Sequence, residues 1–137
     1  MSFSTWLYVS SCLLSPEEVA VELNDIVFTS RRRNVSLEVS GALLFTGKRF
    51  AQYLEGPGSG VSALRESILR DSRHENIIEI SGQTPDTRRF SGWSLAYAGP
   101  SQFVASVVHK ALTEALADSE QGAGILIRLL EKFSVKP

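Results

Sequence analysis

Cysteine is almost missing from this sequence. Cys12 is the only one among 137 residues, which excludes an internal disulfide and any cysteine-based zinc site. Histidine is nearly as scarce, and His74 and His109 are too few and too far apart to suggest a metal centre. A surplus of one charge is missing too. Fourteen Lys and Arg against fifteen Asp and Glu leave a formal charge of −1, so no nucleic-acid partner is expected. The densest basic run, Arg31-Arg32-Arg33, is too short for a nucleic-acid tail and reads as basic residues near a helix C-terminus, complementing the macrodipole. No apolar run approaches the roughly 20 residues of a membrane span. The short N-terminal apolar stretch has no basic flank and runs into Pro16-Glu17-Glu18, so no signal peptide is apparent. The expected compartment is a reducing cytoplasm, without membrane attachment.

What is present suits one globular domain. Apolar residues make up 43% of the chain and charged residues 21%, and a chain of this length buries a stable core without covalent staples. Residues 3–10 are rich in aromatic and β-branched types and read as a strand. Trp6 and Tyr8 fall on one face of it, Phe3, Leu7 and Val9 on the other. Both faces are apolar, so both should be covered. Ser15, Pro16 and Glu18 form a helix start with a capping box. Val19, Ala20, Leu23, Ile26 and Val27 then mark one face of a helix expected to end near Ser30.

Residues 38–46 and 49–55 read as a hairpin turning at Thr46-Gly47-Lys48. The Gly56–Gly60 run should break the chain before a second helix with Val61, Leu64 and Ile68 inward, ending near Asp71-Ser72. Residues 76–82 and 90–97 read as strands four and five. This β-α-β-β-α-β order plus a fifth strand is α+β and ferredoxin-like, with two helices on one face of a sheet. Two more helices should cover the other face. One carries Phe103, Val104, Val107, Val108, Ala111, Leu112, Ala115 and Leu116. The other, after a break at Gly122-Ala123-Gly124, carries Leu126, Leu129, Leu130 and Phe133.

Three polar groups sit where a plain core would use an aliphatic. Gln52 shares a strand face with Phe50 and Leu54, Tyr8 lies near the middle of the sheet, and Asn34 follows the first helix. Each alone has an ordinary explanation as a boundary tyrosine, a satisfied or solvent-facing glutamine, and a cap or turn asparagine. Together they leave open a polar ligand between the helices and the sheet. A flat heteroaromatic ring with alternating donors and acceptors would satisfy all three.

From about residue 3 to 97 the chain resembles the BLUF family, sensors of blue light using flavin. The matching pieces are LYVS at 7–10, SRRRNVSLEVSGALLF at 30–45, FAQYLEG at 50–56, DSRHENI at 71–77 and RRFSGWSLAY at 88–97. The resemblance implies a photoreceptor that is not an enzyme in its own right. FAD is the expected cofactor, with FMN the alternative. By resemblance, Tyr8 is the light-active tyrosine and Gln52 the glutamine between it and the flavin. Asn34 bonds the pyrimidine edge, and Arg73 and His74, with Asp71 beside them, lie near the ring and ribityl chain. Ile26, Val39 and Ile68 are apolar walls. Trp93 matches the switch tryptophan of strand five. Illumination is expected to rearrange the Tyr8–Gln52–flavin hydrogen bonds, and strand five, beside Gln52, to pass the change to the C-terminal helices.

Two positions depart from the family. Leu95 stands where Met is common, which removes a thioether from the strand-five route. Arg33 stands before Asn34 and could reach a phosphate or a flavin carbonyl, or face solvent. Residues 1–98 are then the flavin-binding domain and 99–137 a helical extension of the same unit. Without room for a catalytic output domain, output is expected through a downstream effector protein or a change of assembly. A homo-oligomer would form through the C-terminal helices or the sheet face. The rival reading is a flavin-free ferredoxin-like interaction module. An acylphosphatase-like hydrolase would want an arginine in the loop after strand one, and Ser11-Cys12-Leu13-Leu14 holds none.

Overall fold

Alternation along the strands sets which side chains meet which helices. A computed structural model describes residues 3–82, 84–91, 96–98 and 102–133. In β1 (Phe3–Cys12), Trp6 and Tyr8 face one side and Leu7 and Val9 the other, the period of two that a pleated strand imposes. β2 (Ser40–Phe45) and β3 (Arg49–Pro57) form the expected hairpin. The Thr46 hydroxyl accepts from the Arg49 N–H at 3.0 Å, and Gly47 takes the left-handed conformation there, φ 100°. With β4 (His74–Glu79) and β5 (Ala96–Ala98), the sheet order is β4-β1-β3-β2-β5. The first four strands are antiparallel and β5 runs parallel to β2. One row crosses all five: Glu79, Tyr8, Gln52, Leu43, Tyr97.

α1 (Pro16–Ser36) starts with the capping box at Ser15 and Glu18 but runs two turns past the expected end at Ser30. Nothing in Arg31–Ser36 breaks a helix. The stop is a Schellman-type closure, in which the Val39 N–H bonds the Asn34 carbonyl and the Glu38 N–H the Val35 carbonyl. Glu38 holds the left-handed position, φ 58°, where glycine is usual. That is why the end gave no sequence signal, and it places Asn34 inside the helix rather than after it. The Gly56–Gly60 run is likewise no loop. β3 continues to Pro57 and α2 (Gly58–Leu69) begins at once. A Cβ on Gly60 would lie 2.7 Å from the Leu37 carbonyl oxygen, so glycine lets the start of α2 touch the end of α1.

α3 (Gln102–Ala117) and α4 (Ser119–Phe133) cover the opposite face. Val108, Ala111, Leu126, Leu129 and Leu130 pack with Leu7, Val9, Leu44 and Tyr53 in one continuous core. Each fully buried leucine contributes about 1.5–3 kcal/mol. The side chains of Phe103, Val104, Leu116 and Phe133 lie outside the described residues. The break between the helices falls at Asp118, whose carboxylate accepts from the Gln121 N–H, and not at Gly122–Gly124. A Cβ on Gly122 would meet the Ala115 Cβ at 2.5 Å, so this glycine permits close helix packing instead of ending a helix.

Strand five also starts later than expected, because Phe90 and Ser91 are not in a strand. The backbone N–H groups of Arg89 and Phe90 both donate, at 2.7 Å, to the fully buried Glu55 carboxylate, which also accepts from Ser40. Arg88 donates to the Ser40 hydroxyl and to the Glu38 carbonyl. This segment is therefore tied to a side chain rather than to a strand. Glu55→Ala would remove the acceptor of the buried Phe90 N–H and of the part-buried Arg89 N–H, a loss of about 1–3 kcal/mol where the donor is buried. Urea titration should show a loss of about 2–4 kcal/mol, with faster hydrogen exchange at the Arg89 and Phe90 amides. An unchanged midpoint would mean that Glu55 does not hold the segment.

Candidate functional site

On the α1–α2 side the core is not continuous. Trp6, Tyr8, Val39, Leu54, Val61 and Leu64 form one cluster under α2. Val27, Leu43, Phe45 and Phe50 form another under α1. α2 approaches β1 and β3 more closely than α1 approaches any strand, and along the 21 residues of α1 only Val27 and Asn34 are buried. The result is a cleft of about 440 Å3, its open mouth included, lined by Tyr8, Ile26, Ser30, Leu43, Phe50, Gln52, Ile68, Asp71, Arg73 and His74. An apolar wall with a few polar groups is the mixture that small-molecule sites show.

At the floor, the Tyr8 hydroxyl donates to Gln52 Oε1 at 2.6 Å. Both residues are buried, and direct pairing of Tyr8 with Gln52 across β1 and β3 brings them together. Burial, and secondarily the Asp71 carboxylate, push the Tyr8 hydroxyl far above the ordinary tyrosine range, so it stays protonated at neutral pH. Trp6 stacks on Tyr8 at 4.5 Å between centroids and His74 meets it edge-on at 6.0 Å, which fixes the phenol ring. The Gln52 amide nitrogen has no protein hydrogen bond among the described residues and is not sealed from the cleft.

The mouth is built by the turn before β4. The Arg73 N–H and guanidinium both bond the Asp71 carboxylate, with Nη2 to Oδ2 at 2.6 Å. The guanidinium also reaches Glu22 and Asp25 on α1, at 3.4 and 3.6 Å, and so latches α1 to the β4 side. His74 is committed on both nitrogens. Ile68 O, an acceptor only, lies 2.7 Å from Nε2, which therefore carries the proton, and Ser10 Oγ lies 2.7 Å from Nδ1. His74 offers the cleft a ring edge rather than a free donor.

The structure thus gathers seven of the expected residues in the cleft: Tyr8, Gln52, Ile26, Ile68, Asp71, Arg73 and His74. Three others stand elsewhere. Asn34 is buried in the last turn of α1, on the helix row of Ile26 and Ser30. Val39 lies in the α2 cluster, against which Ile68 packs. The Arg33 guanidinium donates to Ser67 Oγ at 2.6 Å, a bridge from α1 to α2. Trp93 and Leu95 lie outside the described residues. Strand five does not adjoin Gln52, because β2, with Leu43 in that row, stands between them. Sequence reasoning missed Leu43, Phe50 and Ser30 as lining residues. The first two share the Gln52 face by the same alternation, and Ser30 lies one helical turn past Ile26.

Comparison with known proteins gives one consistent result. Residues 3–96 match the family model described as BLUF, sensors of blue-light using FAD. The chain is 38% identical over 74 residues to the blue light- and temperature-regulated antirepressor BluF of Escherichia coli (strain K12), covering 54% of this chain and 18% of that protein. It is 32% identical over 79 residues to the photoactivated adenylate cyclase subunit beta of Euglena longa, covering 57% and 9%. The chain thus spans less than a fifth of the curated relatives it matches. A solved dark-state structure of BlrB, a BLUF protein, superposes with a TM-score of 0.77 at 26% identity, covering 94% of this chain and 95% of that one.

The Asp71–Arg73 latch has a pH signature. Hydrogen bonds from Arg73, aided by the charges of Arg73 and His74, hold the Asp71 carboxyl below its ordinary value. Its proton affinity is thus lower folded than unfolded. The stabilisation is complete above the unfolded value near ~4 and fades as pH falls through the lower folded value. Urea midpoints of the protein and of Asp71→Asn should differ by a constant amount above about pH 5 and converge below about pH 4. A gap that persists into strong acid would remove Asp71 as the carrier.

Proposed function

Because this chain belongs to the BLUF family, sensors of blue light using FAD, we propose that its cleft holds the flavin ring non-covalently and that Tyr8 and Gln52 are the pair that light rearranges. The carrying observation is the buried 2.6 Å bond from Tyr8 to Gln52, with the other end of the amide turned to the cleft. The residues fit a flat heteroaromatic ring. Ile26 and Ile68 are partly exposed apolar walls on opposite helices, Leu43 and Phe50 lie on the sheet, and Gln52 Nε2 is a donor with no acceptor among the described residues. Asn34, buried next on the row of Ile26 and Ser30, would meet the ring's polar edge. Arg73 and Asp71 lie where the ring's side chain would leave the cleft. Val39 supports the Ile68 wall from behind. Arg33, already bonded to Ser67, positions α1 against α2 rather than holding the ligand.

A bound flavin supplies blue-light absorption and, once excited, a strong electron acceptor. Tyr8 would lend an electron and, through the short bond, pass its proton toward Gln52, and would recover both as the charges recombine. The carboxamide settles in a rotated or tautomerised arrangement. A phenol both donates and accepts, so the pair stays bonded in either setting, and no net chemistry occurs. Gln52 can then present a different group to the ring, which changes the absorbed colour. The change leaves through the sheet row, Gln52 to Leu43 to β5, toward Trp93, Leu95 and the C-terminal helices. Its readout is an effector protein or a change of assembly.

Dark and illuminated absorption spectra of the purified protein test this. A flavin spectrum that moves reversibly to longer wavelength is expected, and Tyr8→Phe and Gln52→Leu should each abolish the shift while retaining colour. A colourless protein that refuses added FAD would overturn the reading and leave a flavin-free interaction module.

A further inference from the structure

The outer face of α1 carries three large apolar side chains that the domain does not use. Val21, Phe28 and Val35 are 76%, 61% and 66% exposed. They are seven residues apart, so they form one straight stripe about 21 Å long. Among the described residues, α3 and α4 turn their apolar sides to the sheet, so the α1 stripe is a separate surface from the C-terminal helices. Among the side chains described, none of the large exposed apolar residues belongs to either helix.

We propose that the stripe docks a second copy of this chain, the two α1 helices running antiparallel about a two-fold axis at Phe28. Two observations select that occupant. The spacing maps onto itself, since the axis places Phe28 on Phe28 and Val21 on Val35, the self-complementarity an isologous dimer requires. The charges do the same. Apart from Glu22 and Arg33, which are tied to Arg73 and Ser67, Glu17, Glu18 and the largely exposed Asp25 precede Phe28, and Arg31 and Arg32 follow it. Antiparallel pairing sets acidic half against basic half, whereas parallel pairing would oppose like charges. Arg32 already lies over the Phe28 ring at 5.7 Å, at the edge where the partner's acidic half would arrive. Such balanced charge does not suit an anionic membrane, which favours a basic polar face. The interface is independent of bound flavin, because the cleft is on the opposite side of α1, at Ile26 and Ser30.

Sedimentation equilibrium across concentration should show a monomer–dimer equilibrium, and Phe28→Glu should raise the dissociation constant at least about tenfold, or by about 1.4 kcal/mol. Geometry is tested in a Cys12→Ser background. Oxidising a mixture of Val21→Cys and Val35→Cys proteins should give the mixed disulfide in preference to either symmetric one. These exposed substitutions leave the fold intact, which circular dichroism checks. A monomer at all concentrations, a dimer indifferent to Phe28→Glu, preferred 21–21 and 35–35 disulfides, or binding of the stripe to anionic vesicles in place of self-association would each overturn the proposal.

Discussion

A buried carboxamide has two ends to satisfy, and among the described residues the protein provides for only one. Tyr8 takes the oxygen of Gln52 across neighbouring strands, within a cluster that aromatic stacking keeps fixed. The amide nitrogen is left to the cleft. An unsatisfied donor costs on the order of 1–3 kcal/mol when buried, so this arrangement is stable only where something polar enters. The wide set of α1, the split helix-side core and the ion-paired mouth all follow from keeping that space available. A fully packed α1 would close it.

The two faces of the sheet answer different demands. The α3–α4 face is one continuous apolar core, packed closely enough that Gly122 and Ala115 touch. It gives the sheet a rigid back. The α1–α2 face has two separate apolar clusters and adds polar ties at its rim: Arg33 to Ser67, and Arg73 to Asp71, Glu22 and Asp25. Such partly exposed bonds contribute little stability each, but they fix spacing. The row from Gln52 through Leu43 to β5 crosses neighbouring strands of the sheet by their hydrogen-bonded ladders.

Family membership and local geometry bear on different questions. Membership says that flavin and blue light are the relevant chemistry. The geometry sorts the expected residues into those that line the cleft and those that support it. His74 shows the difference. Its motif position suggested a ligand contact, yet Ser10 and the Ile68 carbonyl occupy both nitrogens, so its part is to seat Tyr8 and Phe50. Glu55 shows the converse, a motif residue with no role read from sequence that anchors the segment leading to strand five.

Local rules made much of this protein legible from its residues alone. Alternation assigned faces to β1, β2 and β3, the capping box started α1, and polar side chains on apolar faces marked Tyr8 and Gln52. These signals are local because pleating and the first helical turn involve residues a few positions apart. The tertiary structure decided whatever depends on partners distant in the chain. The left-handed Glu38 that ends α1 is held by the packing of that helix end against α2, so no glycine advertised it. The glycines at 122–124 read as a break, because close contact with Ala115 is invisible in sequence. Arg33 and Arg73 look equivalent as residues, and only the fold sends one to a serine and the other to three carboxylates. Tyr8 and Gln52 lie 44 residues apart, and it is the register of β1 on β3, fixed by burial of both sheet faces, that makes two unremarkable polar side chains into one site.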